Sequence, residues 1–228
     1  MATKLNKHEQ KFIAKFDELE QIVAGFFEAE SKDEAISEFE DVLIEAYLLG
    51  FQSAKEMLGF SDEMKPGIYS VLNYEYQGET IGSKFANYYD TKDIESIKRL
   101  LDSEYHRMYN KGLFNTAEEY RYTEMERGEM ASPYYAPTPN SIAPEKDVYK
   151  TWITMGDEKV RETHQFLEGV SVRLWERFYT MDADSALFPG DFALARNNCN
   201  CRCGIRLSVK EVPKEEPEEP ETAIKTIW

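Results

Sequence analysis

The spacing of apolar residues in the first sixty positions predicts two long amphipathic helices. In residues 5–30, apolar side chains recur at steps of three and four, which is the period of an α-helix. Residues 31–59 repeat the pattern, and Gly59 follows its last apolar position as a helix-ending residue. Gly50 lies inside the second pattern, where we expect it to permit close helix packing. The two segments predict an antiparallel helical hairpin.

The middle of the chain alternates between breaks and further helical patterns. Residues 61–77 contain Pro-Gly and several tyrosines, and we interpret this stretch as a hinge between two halves of the chain. The pattern then predicts one or two helices in residues 79–113 and a separate helix near residues 115–127. Residues 128–147 are rich in proline and lack an apolar period, so we expect an extended loop there.

Beyond that loop the period changes from helix to strand. Residues 148–154 alternate and are rich in aromatic and β-branched side chains, which predicts a strand. Asp157 then begins a short predicted helix, and Gly169 follows its end. Residues 170–175 and 203–209 predict two further strands. Short antiparallel strands with one helix across them would form a small α+β subdomain.

The fold class expected from these patterns is α+β, with an N-terminal helical region followed by the small α+β subdomain. We divide the chain into a helical hairpin region over 1–77, a second domain over 78–209 and an acidic, proline-rich tail over 210–228. The tail composition cannot build a core. Its last residues, IKTIW, are apolar, and we expect Trp228 to dock on a partner protein.

Composition restricts the classes of partner. The 228 residues include 43 acidic and 27 basic side chains, which give a formal net charge of -16. Such a charge opposes tight, nonspecific binding to DNA, because phosphates are repelled by the averaged field. The sequence has neither a long apolar segment nor the apolar core of a secretory signal near its start, so we expect no membrane association and a cytosolic protein.

One imidazole and two thiols form a candidate metal-binding set. His164, Cys201 and Cys203 are zinc-compatible ligands, and alternation on a strand would place both cysteines on one face. A fourth ligand could come from Cys199, Asp157 or water. The single residue between the cysteines differs from the two that ordinary structural zinc sites favour, so the spacing alone does not establish a metal site.

A second interpretation of the same segment needs no ion, and the sequence favours it. Asp157, Arg161 and His164 are spaced to share one face of the predicted helix. Arg161 would pair with Asp157 and also bind backbone carbonyls, while His164 forms hydrogen bonds and the cysteines are small buried groups.

Catalysis has little support in the sequence. A Cys–His pair with Asp157 as orienting group could in principle act as nucleophile and base. No Gly-rich phosphate loop, HExxH motif or paired-acid motif accompanies it. We therefore expect a protein without enzymatic activity. The alternatives are a zinc-dependent or Cys/His-based enzyme and a nucleic-acid-binding module.

Three separated segments carry a recognisable order of residues: Glu104, Arg107, Asn110 and Gly112; then Trp152, Asp157, Arg161, His164 and Gly169; then Asn200, Cys201, Arg202 and Cys203. In this order, over about residues 95–206, they resemble the Mu protein F-like family of minor head proteins, also called head morphogenesis proteins, from tailed bacteriophages.

The resemblance implies a noncatalytic component of the capsid interior. It would associate with the portal protein and the major capsid protein during head assembly, DNA packaging or ejection. It would be found in the host cytoplasm during assembly and then inside the virion, near the genome without strong nonspecific DNA binding.

The resemblance also bears on the polar residues Glu104, Arg107 and Asn110, which share one side of a predicted helix. One interpretation is an exposed Glu104–Arg107 pair worth well under about 1 kcal/mol. The other, which the resemblance suggests, is a buried cluster that docks the helix on the C-terminal subdomain. The sequence leaves both open. His106, beside them, is expected at the surface.

Overall fold

Capped helices fill the N-terminal region of the computed structural model, as the periodicity predicts. Helix α1 runs over Lys7–Phe26 and α2 over Lys32–Leu58. The side chain of Asn6 accepts hydrogen bonds from the amides of His8 and Glu9, and the Glu9 carboxylate accepts one from the Asn6 amide in return. Three backbone N–H groups that lack helical partners are thereby satisfied. Gly59 ends α2 with φ at +65°, a conformation that glycine adopts without strain.

The structure describes part of the chain: residues 5–60, 66, 73, 75–76, 78–127, 130 and 146–211. Most of the predicted hinge and of the proline-rich loop lies outside the described residues. The acidic tail beyond residue 211, with Trp228, lies outside them as well.

After the short strands β1 (Glu75–Tyr76) and β2 (Glu79–Thr80), two helices follow. They are α3 (Ile81–Asp90) and α4 (Ile94–Glu126), a continuous helix of 33 residues. The prediction of a separate helix near residues 115–127 is therefore wrong. The helix continues because its buried face does: Leu113, Phe114 and Ala117 carry the apolar contacts on past Gly112.

Helices α2 and α4 cross at two glycines. A Cβ atom on Gly50 would lie 2.0 Å from the carbonyl oxygen of Tyr109, and one on Gly112 would lie 2.2 Å from that of Tyr47. Neither position has room for any side chain, so the two backbones are in direct contact there. This confirms the packing role expected for Gly50.

The C-terminal region contains a three-stranded antiparallel sheet, with strands β3 (Lys146–Ile153), β4 (Ser171–Arg173) and, last in the chain, β7 (Gly204–Glu211). The central strand is β3, with β4 on one side and β7 on the other. This confirms the predicted α+β class and the three strands.

Short elements complete the fold around this sheet. Helix α5 (Glu162–Gln165) connects β3 to β4. Strands β5 (Phe178–Tyr179) and β6 (Ser185–Ala186) pair with each other, and helix α6 (Ala195–Asn198) precedes the turn into β7.

A single apolar core joins the helices to the sheet. Its buried members run from Phe12 in α1 through Tyr105 in α4 to Trp152 in β3 and Leu207 in β7. Phe12 stacks on Tyr109 at 3.9 Å between ring centres. The division of the chain near residue 77 stays a prediction, but the described helices and sheet share this core. None of the described helices is long and apolar enough to cross a membrane.

Candidate metal centre and its supporting polar cluster

The imidazole and two thiols selected from the sequence meet in the interior of the C-terminal region. His164 Nδ1 lies 3.6 Å from Cys201 Sγ and 3.6 Å from Cys203 Sγ. The three donor atoms all lie within 4.8 Å of one another. All three residues are buried, with exposed fractions of 1% for His164 and 4% for each cysteine.

A short helical turn and two aromatic rings position His164. Helix α5 begins after Arg161, and the His164 ring stacks against Phe192 and meets Trp152 edge to face. The predicted helix starting at Asp157 is wrong. Gly156 has φ at +67°, and the Asp157 carboxylate accepts a hydrogen bond from the Lys159 amide in a local turn, so the chain becomes helical only later.

The cysteines lie in the turn that precedes β7 rather than on the strand itself. Asn200 has a left-handed backbone conformation with φ at +54°, which turns the chain between α6 and Cys201. Cys201 and Cys203 are buried while Arg202 between them is partly exposed. The two thiols therefore share one side of the chain, as the alternation predicts.

The acidic and basic residues around the centre pair differently from the prediction. Arg202 donates to both carboxylate oxygens of Asp157 at 2.8 Å, so the predicted Asp157–Arg161 pair is wrong. Arg161 instead donates to the backbone carbonyls of Asn197, at 3.4 Å, and Cys199. That part of the prediction, in which Arg161 binds carbonyls, is confirmed.

The structure narrows the choice of a fourth ligand. Among the described residues, the group of donor atoms contains only His164, Cys201 and Cys203. Cys199 is exposed, and the Asp157 carboxylate is held by Arg202. A fourth ligand therefore has to come from outside this set of side chains.

A small pocket leads from solvent to the centre. Its empty space, including the open mouth, is about 240 Å³. Its walls include all three donor residues and a cationic rim formed by Lys159, Arg161 and Arg202. The three buried donor residues thus lie beside a pocket that opens to solvent.

The two thiols influence each other's acidity. A hydrogen bond from Cys203 and the nearby His164 lower the pKa of the Cys201 thiol well below its usual value, despite burial. The pKa of Cys203 is raised, because it donates to Cys201 and is itself buried. The pKa values of the two thiols are therefore shifted in opposite directions.

The three polar residues of α4 are buried, and one of them contacts the cysteine-containing turn. Arg107 Nε donates to Glu104 at 2.6 Å, and Gly190 packs against the aliphatic part of Arg107. Asn110 has no exposed surface. Its amide nitrogen donates to the Cys203 carbonyl at 3.0 Å, and its oxygen accepts from the Ile205 amide at 3.1 Å. The arrangement matches a buried docking cluster rather than an exposed ion pair.

The sequence analysis misplaced one residue of this helix. His106 is buried, with 5% of its surface exposed, and not at the surface as predicted. Its ring packs edge to face on Phe12 and Phe16 of α1, and Nδ1 donates to the carbonyl of Asp102 at 3.0 Å. Desolvation lowers its pKa to about 4.

The buried carboxylate of Asp184 was not predicted, because no motif in the sequence indicates it. Asp184 accepts hydrogen bonds from the side chain of Asn197 at 3.0 Å and from the amides of Ser185, Ala193 and Leu194. Burial opposes its ionisation, but these donors together lower its pKa. Asp184 thereby fixes the loop that carries Phe192 beside His164.

Comparison with known proteins gives no relative: no family model, curated protein or solved structure matches this chain.

Proposed function

We propose that this chain is a minor head protein of a tailed bacteriophage, a noncatalytic component of the capsid interior that associates with the portal protein and the inner capsid. One observation carries the proposal. The three segments that resemble the Mu protein F-like family lie around one turn, where Asn110 binds the backbone of Cys203 and Ile205 and Arg161 binds that of Asn197 and Cys199.

The surroundings of His164 support a structural role over catalysis. A nucleophile-activating histidine is normally oriented by a third group on its other ring nitrogen. His164 Nε2 is buried and has no hydrogen-bond partner among the described residues, and Asp157 is engaged by Arg202. The polar groups of the centre thus bind the chain's own backbone and side chains, which supports a structural role for the centre.

Charge supports association with protein rather than directly with DNA. The net charge of -16 repels phosphates at long range. Local patches on such a surface can still select protein partners through complementary charge. Proximity to a packaged genome is compatible with this balance as long as contacts are made through other head proteins.

The test is co-expression of the tagged full chain with the portal and major capsid proteins encoded in the same genome. Affinity purification and mass spectrometry should recover the portal protein in a fixed ratio to the tagged chain. A monomer that recovers neither head protein would contradict the proposal. Salt-sensitive retention of duplex DNA at neutral pH by the purified chain would favour the nucleic-acid-binding alternative instead.

The same assay tests the expectation for Trp228. Trp228→Ala should reduce recovery of the head protein that binds the apolar segment IKTIW. A buried aromatic residue supplies much of the free energy of this kind of binding. Tyr179→Ala is the matched control, since Tyr179 is a strongly exposed aromatic residue of the sheet region. Equal recovery with both variants would exclude Trp228 as the anchor.

A further inference from the structure

We propose that His164, Cys201 and Cys203 bind one Zn²⁺ ion. The proposed head function neither includes nor requires a metal, so the two proposals stand separately. Two thiolates and an imidazole form a donor set that binds Zn²⁺ in preference to harder cations such as Mg²⁺ or Ca²⁺. The set is drawn from two chain segments, α5 and the turn before β7, that the fold brings together.

The two distances from His164 to the cysteines fit a tetrahedral zinc ion. With Zn–S of about 2.3 Å and Zn–N of about 2.0–2.1 Å, tetrahedral angles separate a nitrogen from a sulfur ligand by about 3.6 Å. The two observed N···S distances are both 3.6 Å. Zn²⁺ could therefore bind His164 together with either cysteine at the observed N···S distances.

The symmetry of the arrangement favours a shared ion over hydrogen bonding alone. A single Nδ1–H group is best directed at one acceptor, because hydrogen bonds weaken steeply away from linearity. His164 Nδ1 is equally distant from both sulfurs. Equal distances are what a common central atom between the three donors produces.

The pocket supplies the fourth coordination position. All three donor residues line it. We assign this position to a water molecule, because Cys199 is exposed and Asp157 is paired with Arg202. The ion would tie α5 to the turn before β7, and its binding energy would add to the stability of the fold.

The first experiment is elemental analysis of the full chain, purified under reducing conditions and without chelators. We expect about one zinc per chain. Cys201→Ser should lose the metal, whereas Cys199→Ser should retain it, because Cys199 lies outside the donor group. Absence of zinc from the wild-type chain, together with a failure of the reduced chain to bind Co²⁺, would overturn the proposal.

Cobalt titration keeps the test decisive if Cys201→Ser does not fold. Co²⁺ added to the reduced, metal-free wild-type chain should give thiolate-to-cobalt charge-transfer absorption and intense tetrahedral d–d bands, and Zn²⁺ should abolish both. Cys199→Ser should give the same spectrum. A folded chain that shows no such absorption has no site, and loss of the spectrum in Cys199→Ser would place the site elsewhere. Neither readout depends on portal or capsid protein.

Discussion

Burial of one histidine gives the helical region a defined response to acid. In the unfolded chain an imidazole takes up a proton near pH 6.5, whereas desolvation lowers the pKa of His106 to about 4 in the folded protein. Between these values the unfolded state binds more protons, so stability falls as the pH falls. The pKa difference corresponds to about 3 kcal/mol at most.

His106→Gln should flatten this response. Glutamine does not titrate, so the loss of unfolding free energy between about pH 7 and about pH 4.5 should be smaller than in the wild type by about 2 kcal/mol. Urea unfolding at the two pH values measures the difference. His8→Gln is the control, because His8 is only partly buried. Equal pH dependence in wild type and His106→Gln would show that His106 does not control it.

The residues of the site were predictable to different degrees. His164, Cys201 and Cys203 followed from residue type and order, and the structure brings them together. The partner of Asp157 could not be predicted in this way, because Arg202 lies 45 positions away and only the folded chain makes them neighbours. Burial of His106 depends in the same way on α1, which nothing within its own helix indicates.

One side chain of helix α4 links it to the turn before β7 and to the strand itself. Asn110 satisfies a carbonyl of the turn and an amide of β7, and both of these backbone groups are buried. A side chain without its amide would leave them unsatisfied, at about 1–3 kcal/mol for each group. The helix therefore positions the turn as well as packing on α2.

Asn110→Ala should consequently destabilise the chain by about 3 kcal/mol. Asn115→Ala is the matched control on the same helix. The Asn115 amide donates to the hydroxyl of Tyr47 at a part-buried site, so its loss should cost less than about 1 kcal/mol. Chemical denaturation measures both. Equal effects would mean that Asn110 does not support the turn.

Periodicity predicted the long elements well because apolar faces determine them locally. It predicted too short an α4, because Gly112 packs against α2 and does not interrupt the helix. It also failed over residues 157–161, because the positive φ of Gly156 and the local hydrogen bond of Asp157 are decided by a turn rather than by an apolar face.

The entire described fold shares one core, so we expect it to unfold as one unit. Far-ultraviolet circular dichroism reports mainly on the helices, whereas fluorescence of the fully buried Trp152 reports on the sheet. The two thermal or denaturant transitions should coincide. Trp152→Phe provides the control that identifies the contribution of this residue to the fluorescence change. Separate midpoints would indicate that the helical and sheet regions fold independently.

The crossing of α2 and α4 limits which amino-acid substitutions the protein tolerates at Gly50 and Gly112. At Gly50 and Gly112 an added methyl group would meet the backbone of the opposite helix, not a side chain. No smaller neighbour can therefore compensate for a substitution at either position. A genetic screen for suppressors of Gly50→Ala should return true revertants or distant stabilising changes, and never a compensating substitution at the contact itself.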